Sequence, residues 1–249
     1  MRRNLIVVRA GDNSLHRRWM NDSSARSFDL LVSYYGNLRG RYENRADHYH
    51  EMTGPRWPAH DWLWRNRRDV FERYERVAFV CDDVDATTAS WNLMFSFCDW
   101  FDLDLAQPAI GGHPNHPITQ PKPGSLLRYT NFVEIMAPVF SRRALALCAD
   151  TFGETVSGWG LEFLWAKRLP YPQFRTAIVD KVCVLHTAPM RTGPLRPVLD
   201  ALGVDPAVEL RATLDRLGVA QPDLRVIGRL SLGNGPERRR GAAPSATPA

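Results

Sequence analysis

Three carboxylates, Asp82, Asp83 and Asp85, fall within four positions directly after the apolar run ending in "AFVC". Ionised together they repel one another, so a cation, a set of hydrogen-bond donors or a metal-bound phosphate belongs opposite them. Asp83 and Asp85, two apart at a strand end, can both turn toward one hard cation. Magnesium or manganese is held in this way, by one or two carboxylates with water and substrate phosphate completing the shell. A D-x-D triplet also occurs in solvated turns and helix caps, so its place after a strand is what makes it informative.

Two later stretches offer complementary groups. In "SGWGLEFLW", Ser157 to Trp165, glycines on either side of Trp159 let backbone approach a ligand closely. Glu162 lies in the first turn of the helix that follows, where the dipole favours a carboxylate able to act as general base; an ordinary helix-start carboxylate is the plainer reading. In "IVDKVCVLHT", His186 closes an apolar strand, as a metal ligand or a structural histidine, and Asp180 could orient it or serve a turn. His48, His50, His113 and His116 form H-x-H and H-x-x-H loop pairs, a spacing that zinc can use. "DVDAT" also resembles the first motif of haloacid-dehalogenase-like phosphatases, with one Asp as nucleophile and the next as acid. That chemistry needs a later lysine and a further acidic pair; the lysines are Lys122, Lys167 and Lys181, and no such pair follows.

The elements that must position these groups alternate between strand and helix. "NLIVVRAGD" and "FDLLVSYYG" read as buried strands stopped by Gly, with a short helix "SLHRRWM" after the first, which suggests a parallel βαβ unit. Residues 37–57 read as a long loop. "HDWLWRNRRDVFERYER" is an amphipathic helix with Trp62, Val70, Phe71 and Tyr74 inward. Strand "RVAFVC", helix "TTASWNLMFSFCDWF" capped by Thr87 or Thr88, and strand "LDLAQPAI" ended by Pro108 follow. "NFVEIMAPVFS" is a strand, "RRALALCADTF" and "GWGLEFLWAKRL" are helices, and "TAIVDKVCVLHT" a last strand pair. The carboxylates therefore lie at the carboxyl end of a strand, where open α/β sheets bind ligands.

A chain of 249 residues, 44% hydrophobic, buries a full core. No stretch is long and apolar enough for a membrane span and no signal-peptide pattern opens the chain, so a cytoplasmic protein is expected. Cys81, Cys98, Cys148 and Cys183 stand apart without a CxxC pair and read as reduced core thiols. The net charge of +5 does not argue for nucleic acid. Three of the 32 basic residues are lysine, leaving 29 scattered arginines, and the one dense run, "PERRRG", sits in a Gly/Pro/Ala tail.

Taken in order, "RNLIVVRAGDNSLHRRW", "FDLLVSYYG", "GPRWP", "DDVD", "LDLAQPAI", "NFVEIMAPVFSRRAL", "GWGLEFLW" and "IVDKVCVLHT" resemble the family called domain of unknown function 707, over residues 3–190. The fold implied is similar to GT-A nucleotide-sugar glycosyltransferases: a single α/β, Rossmann-like domain with a mixed, mostly parallel sheet flanked by helices. The resemblance implies a catalytic domain over 1–190, with a nucleotide-binding half to about 110 and an acceptor half beyond. A helical extension is expected over 191–232 and a disordered tail over 233–249.

It further implies transfer of a sugar from a nucleotide-sugar donor to a glycan or other hydroxyl acceptor, inverting, with Mn2+ or Mg2+ as cofactor. Asp83, Asp85 and His186 would hold the metal, and Glu162 would be the base. Arg9, Ala10, Gly11, Asp12, Arg56 and Asp82 would meet the donor, and Trp159 and Gly160 the acceptor. The acidic motif reads D-D-V-D here, and "GWGLE" carries one acid where many such enzymes carry two. A GT-A-like domain that binds a sugar or a protein without turnover is the other class open to this sequence.

Overall fold

The run Asn4–Ala10 forms β1 and is buried along its whole length. Its residues divide by parity: Ile6, Val8 and Ala10 enter one apolar core, Leu5 and Val7 the other. A strand that alternates between two cores has to be apolar throughout, which is why no polar alternation marks it. The computed structural model describes residues 2–189, 192, 196–220 and 223–231. A 3-10 turn, Leu15–Met20, leads to β2 (Phe28–Tyr34), which runs parallel to β1.

The expected loop 37–57 contains β3 (His48–Glu51), a parallel edge strand on β2, and the first two residues of helix α1 (Arg56–Asn66). The amphipathic helix is broken at Arg67, with α2 (Arg68–Phe71) beyond it. The break rotates the buried face: Val70, Phe71 and Tyr74 are inward as expected, while Trp62 is 38% exposed and Trp57, His60 and Leu63 take the interior. Strand β4 (Arg76–Cys81) pairs parallel to β1, and two residues later Val84–Asp85 form the short β5. Helix α3 (Thr88–Trp100) starts at Thr87, whose hydroxyl accepts the Ser90 N–H.

Pro108 lies inside β6 (Leu105–Gly112) instead of ending it; the β6–β9 register shifts between Pro108 and Ala109, the kind of irregularity that accommodates a proline in a sheet. "NFVEIMAPVFS" is mostly irregular. The strand there is β8 (Val139–Ser141), and β7 (Ser125–Thr130) precedes the stretch. Helices α4 (Arg142–Cys148) and α5 (Leu161–Arg168) lead to β9 (Thr176–His186), one 11-residue strand where a strand pair was expected. After α6 (Arg196–Ala201) and α7 (Pro206–Leu217), the chain returns as β10 (Val226–Ser231), antiparallel to β7. The extension is therefore helical only in part, and it supplies a strand to the sheet. The expected tail, 233–249, lies outside the described residues.

The sheet order is β10-β7-β9-β6-β8-β4-β1-β2-β3, with β5 on β9. It is a mixed α/β sheet flanked by helices, parallel through β4, β1, β2 and β3. One core lies beneath α3, with Trp91, Met94 and Phe95; the other lies beneath α1, α4 and α5, with Trp57, Leu145 and Trp165. Because β8 is antiparallel to both β4 and β6, those two strands run the same way, and β9 runs with β6. The carboxyl ends of β1, β2, β4, β6 and β9 thus share one edge and bring Gly11, Tyr35, Asp82, His113 and His186 together. Of the cysteines, Cys98 and Cys148 are buried as expected, Cys81 is half-buried and Cys183 is exposed. No helix among the described residues is long and apolar enough to cross a membrane.

Candidate active site

Two clefts meet at that edge, and Asp82 and Asp83 line both. One, of about 550 Å3, runs over Gly11, Asp12, Tyr35, Gly36 and Thr187. The other, of about 170 Å3, is bounded by Arg9, Arg56, Cys81, His186 and Trp159. Helix α6 borders both, with Val198 on the first and Arg196 and Leu199 on the second.

Asp82 is a fastener. Its Oδ2 accepts the Gly11 N–H at 2.8 Å and the Tyr35 hydroxyl at 3.3 Å, and its carbonyl accepts the Leu15 N–H, so it ties the β1 and β2 ends to β4. Burial, aided by the neighbouring Asp83 charge, pushes its pKa up to about 6. Asp12 is held by the Tyr34 hydroxyl and the Asn37 N–H, which lower its pKa.

Asp83 faces His186. Asp83 Oδ2 lies 3.2 Å from His186 Nε2, while His186 Nδ1 donates to the His113 carbonyl at 2.7 Å. With the proton on Nδ1, a neutral imidazole turns a lone pair toward a carboxylate. Only a second proton or a cation makes that contact favourable. Burial opposes charge on His186, but Asp83, the His113 carbonyl and Glu134 outweigh it and raise its pKa. Among the described residues Asp83 Oδ1 is buried without a hydrogen-bond partner, a second site of uncompensated negative charge.

Asp85 does not join them. In the β5–β9 ladder Val84 opposes His186 and Asp85 opposes Leu185, so Asp85 points to the other face, where it pairs with Arg18. Asp83 lies in the turn before β5, outside the strand's alternation, so the two-residue spacing does not bring the two carboxylates to one ligand. The phosphatase arrangement, which asks the same two carboxylates to face one ligand, meets the same geometry. Among the described residues no three His, Cys, Asp or Glu side chains converge as a preformed metal cage. One carboxylate and one imidazole remain, and a donor pair of this kind fits a divalent ion whose other ligands are water and phosphate oxygens.

Positive charge stands nearby. Arg9, fully buried, bonds to Ser33 Oγ at 2.9 Å and to the carbonyls of Met52 and Gly54, and its Nε has no partner among the described residues. Burial lowers its pKa to about 10, still protonated at neutral pH. Arg56 contacts Cys81 Sγ and the Ile135 carbonyl. Among the described residues neither guanidinium is paired with a carboxylate. Arg56 opens α1, whose first turn has no acid and no side-chain cap, so the positive end of the helix adds to the cleft.

No family model matches the chain, and no curated protein matches it. Solved structures are similar in fold. TarS of S. aureus matches over 87% of this chain and 43% of that chain, at 12% identity and a TM-score of 0.48. Residues 1–349 of TarS in complex with UDP match at 13% identity and 0.48, over 87% and 71%. A candidate nucleotide-diphospho-sugar transferase from Desulfovibrio desulfuricans G20 matches at 12% and 0.40, over 86% and 99%. The chain spans less than half the length of full TarS. With TM-scores below 0.5 these likenesses carry no argument about function, which rests on the geometry of the clefts.

Glu162 is 5% exposed and faces inward from α5. Its Oε2 accepts the Gly160 N–H, and its Oε1 lies 3.9 Å from His116 Nε2. Burial, with Glu134 adding to it, pushes its pKa up to about 8, so it is protonated at neutral pH despite its place in a first helical turn. Glu134 is fully buried, accepts the Asn115 N–H and the Thr119 hydroxyl, and is pushed by burial to about 7. Sequence reasoning missed it; the signal was a lone acid in the apolar run "NFVEIMAPVF". Asp180 does not orient His186, because Arg128 holds it with two bonds of 2.8 Å. His48 and His50, expected in a loop, lie on β3 and are dispersed: His48 bonds Tyr74 and His50 stacks on Trp62.

The loop carrying Trp159 is shaped by its glycines. Gly158 has φ +89° and a Cβ there would lie 2.0 Å from Trp57; at Gly160, φ +100°, it would lie 2.8 Å from Thr213 of α7. Glu209 of α7 accepts the N–H groups of both Val156 and Ser157, at 2.7 and 2.8 Å. The C-terminal helix is thereby part of the site, a role no motif marked.

Proposed function

We propose that this chain is a GT-A-like, nucleotide-sugar-dependent glycosyltransferase that uses Mn2+ or Mg2+. The observation that carries the reading is the Asp83–His186 contact at the junction of two clefts, with one carboxylate oxygen buried and, among the described residues, unpartnered, and His186 Nε2 3.2 Å from the other. A divalent ion bound there would supply the positive charge that stabilises a departing nucleoside diphosphate.

The chain's own residues divide the remaining work. The groove over Gly11, Asp12, Tyr35 and Gly36 takes the nucleoside, at the carboxyl ends of β1 and β2. Arg56 and the amino end of α1 attract the diphosphate, and Arg9 holds the Met52–Gly54 backbone that positions them. Trp159 offers an aromatic wall to the acceptor, with the Gly160 backbone beside it. Glu162 is the acid–base group, in an inverting transfer: it takes the acceptor proton once ionised, and its raised pKa makes that step favour alkaline pH. Asp85 is assigned to the Arg18 ion pair and not to the metal.

A second reading, sugar or nucleotide binding without turnover, is favoured by one fact: Glu162 is buried, protonated at neutral pH, and absent from the lining of both clefts. Thermal-shift screening with nucleoside diphosphates and nucleotide sugars, with and without Mn2+, tests both. A ligand of the native state raises the melting temperature by mass action. The transferase reading expects a Mn2+-dependent shift with one nucleotide, lost in Asp83→Ala and kept in Asp85→Ala, together with release of nucleoside diphosphate from the matching sugar donor. Binding without release selects the second reading, and no binding sinks both.

A further inference from the structure

Apart from Arg196 of α6, whose guanidinium is paired with Asp200 at 2.7 Å, the charged residues of the cleft beside Trp159 gather on one side. Asp82 and Asp83 are shared with the donor groove, and Arg9, Arg56 and His186 stand with them on this cleft. Opposite them, the described walls are apolar: Ile135 and Met136 from the segment before β8, Val156 and Trp159 from the loop before α5, Leu199 from α6 and Pro206 from α7. The uncharged hydrogen-bonding side chains in the lining are Asn115, Ser157 and the Trp159 indole, and the Ser157 hydroxyl already accepts the Trp159 backbone N–H.

A glycan acceptor carries a hydroxyl on nearly every carbon. Each hydroxyl buried against such walls without a partner carries its full desolvation penalty. A molecule with an apolar body and one hydroxyl avoids that cost and gains from burial of its apolar surface. The cleft is continuous with the donor groove through Asp82 and Asp83, so its occupant lies beside the diphosphate end of the donor. Its far wall is fixed in place: Glu209 clamps Val156 and Ser157, and Thr213 fills the space left by Gly160.

We propose that the acceptor is a small alcohol or phenol with an apolar body, seated between Trp159 and the α6–α7 wall with its hydroxyl toward the acidic edge. This rests on the transferase reading and adds the chemical class of the acceptor to it.

The test is titration calorimetry with 2-naphthol and methyl glucoside as probes, on the protein with Mn2+ and the nucleoside diphosphate found in the melting screen, and again without nucleotide. Naphthol is expected to bind at least tenfold tighter than the glucoside. Leu199→Asp, on a half-buried position of α6, is expected to weaken naphthol at least tenfold while leaving the nucleotide Kd within threefold. Val156→Thr, which keeps the side-chain shape and the backbone bonds to Glu209, guards against misfolding and is expected to weaken naphthol in the same direction. Equal affinity for the two probes, or naphthol affinity unchanged in both variants, overturns the proposal. Loss of nucleotide binding alone, with the naphthol preference intact in its absence, overturns the transferase reading and leaves the apolar site standing.

Discussion

His186 and Asp83 stand 3.2 Å apart although 103 positions separate them in the chain. Their meeting is produced by β5, whose two residues zip onto the end of β9 and carry Asp83 to the imidazole. Thr187 tightens the join by giving both its N–H and its hydroxyl to the Asp83 carbonyl.

That pairing predicts an asymmetric mutational pattern. Asp83→Asn and His186→Gln should each weaken Mn2+-dependent nucleotide binding by more than the ~10–100-fold that loss of an outer-shell partner costs. Asp85→Asn should change it by less than about threefold, since it breaks a partly exposed ion pair with Arg18 that is worth roughly 1 kcal/mol or less. Calorimetric titration of the three variants checks the order.

Stability should fall as pH rises across neutrality. Glu162 and Glu134 have folded pKa values of about 8 and about 7, above the ordinary 4.5, so the folded state holds protons that the unfolded chain has released. The associated stability is complete below about pH 4.5 and is lost as pH climbs through the folded values. Within that window each carboxyl contributes a slope of about 1.4 kcal/mol per pH unit. Urea unfolding at pH 5 and pH 8 measures it, and Glu162→Gln should flatten the profile. Transfer that uses Glu162 as base should instead gain rate up to about pH 8, a limb that the same variant removes.

The Trp159 loop should depend on α7. Glu209→Ala removes two charge-assisted bonds to the Val156 and Ser157 N–H groups, each worth about 1.5–3 kcal/mol. A lower melting temperature with nucleotide affinity nearly unchanged is expected, because the donor groove lies on the other cleft. Gly158→Ala forces a Cβ into Trp57 at positive φ and should be harsher, above about 2 kcal/mol, or prevent folding. Thermal melts with nucleotide titration separate the two effects.

A buried ion pair away from the clefts provides a control. Arg128 and Asp180 have side chains 3% and 0% exposed, and Asp180 also accepts the Lys122 N–H. Arg128→Ala leaves a buried carboxylate without its partner and should cost about 3–5 kcal/mol. The folded fraction should bind nucleotide as the parent does, by calorimetry at low temperature.

The parallel half of the sheet was legible because β1, β2 and β4 are mostly apolar and bounded by Gly or charge. Less legible was the antiparallel half. "SLLRYT" and "VIGRLS" are short strands on the outer part of the sheet, with weak patterns whose pairing is set by partners far away in the chain. Trp62 was expected inward because the helix was read as continuous; the break at Arg67 changes which stripe of α1 faces the sheet.

Residue types and order alone determined that carboxylates follow one strand, an acid follows a Gly-Trp-Gly turn and a histidine ends another strand. Those are local facts, carried by burial period and turn chemistry. Which of the groups face each other was decided by the tertiary structure. A two-residue strand turned Asp85 outward, burial protonated Glu162, and helix α7 closed on the Trp159 loop. Each of these outcomes depends on pairing register or on distance from water, quantities that arise only when remote segments pack.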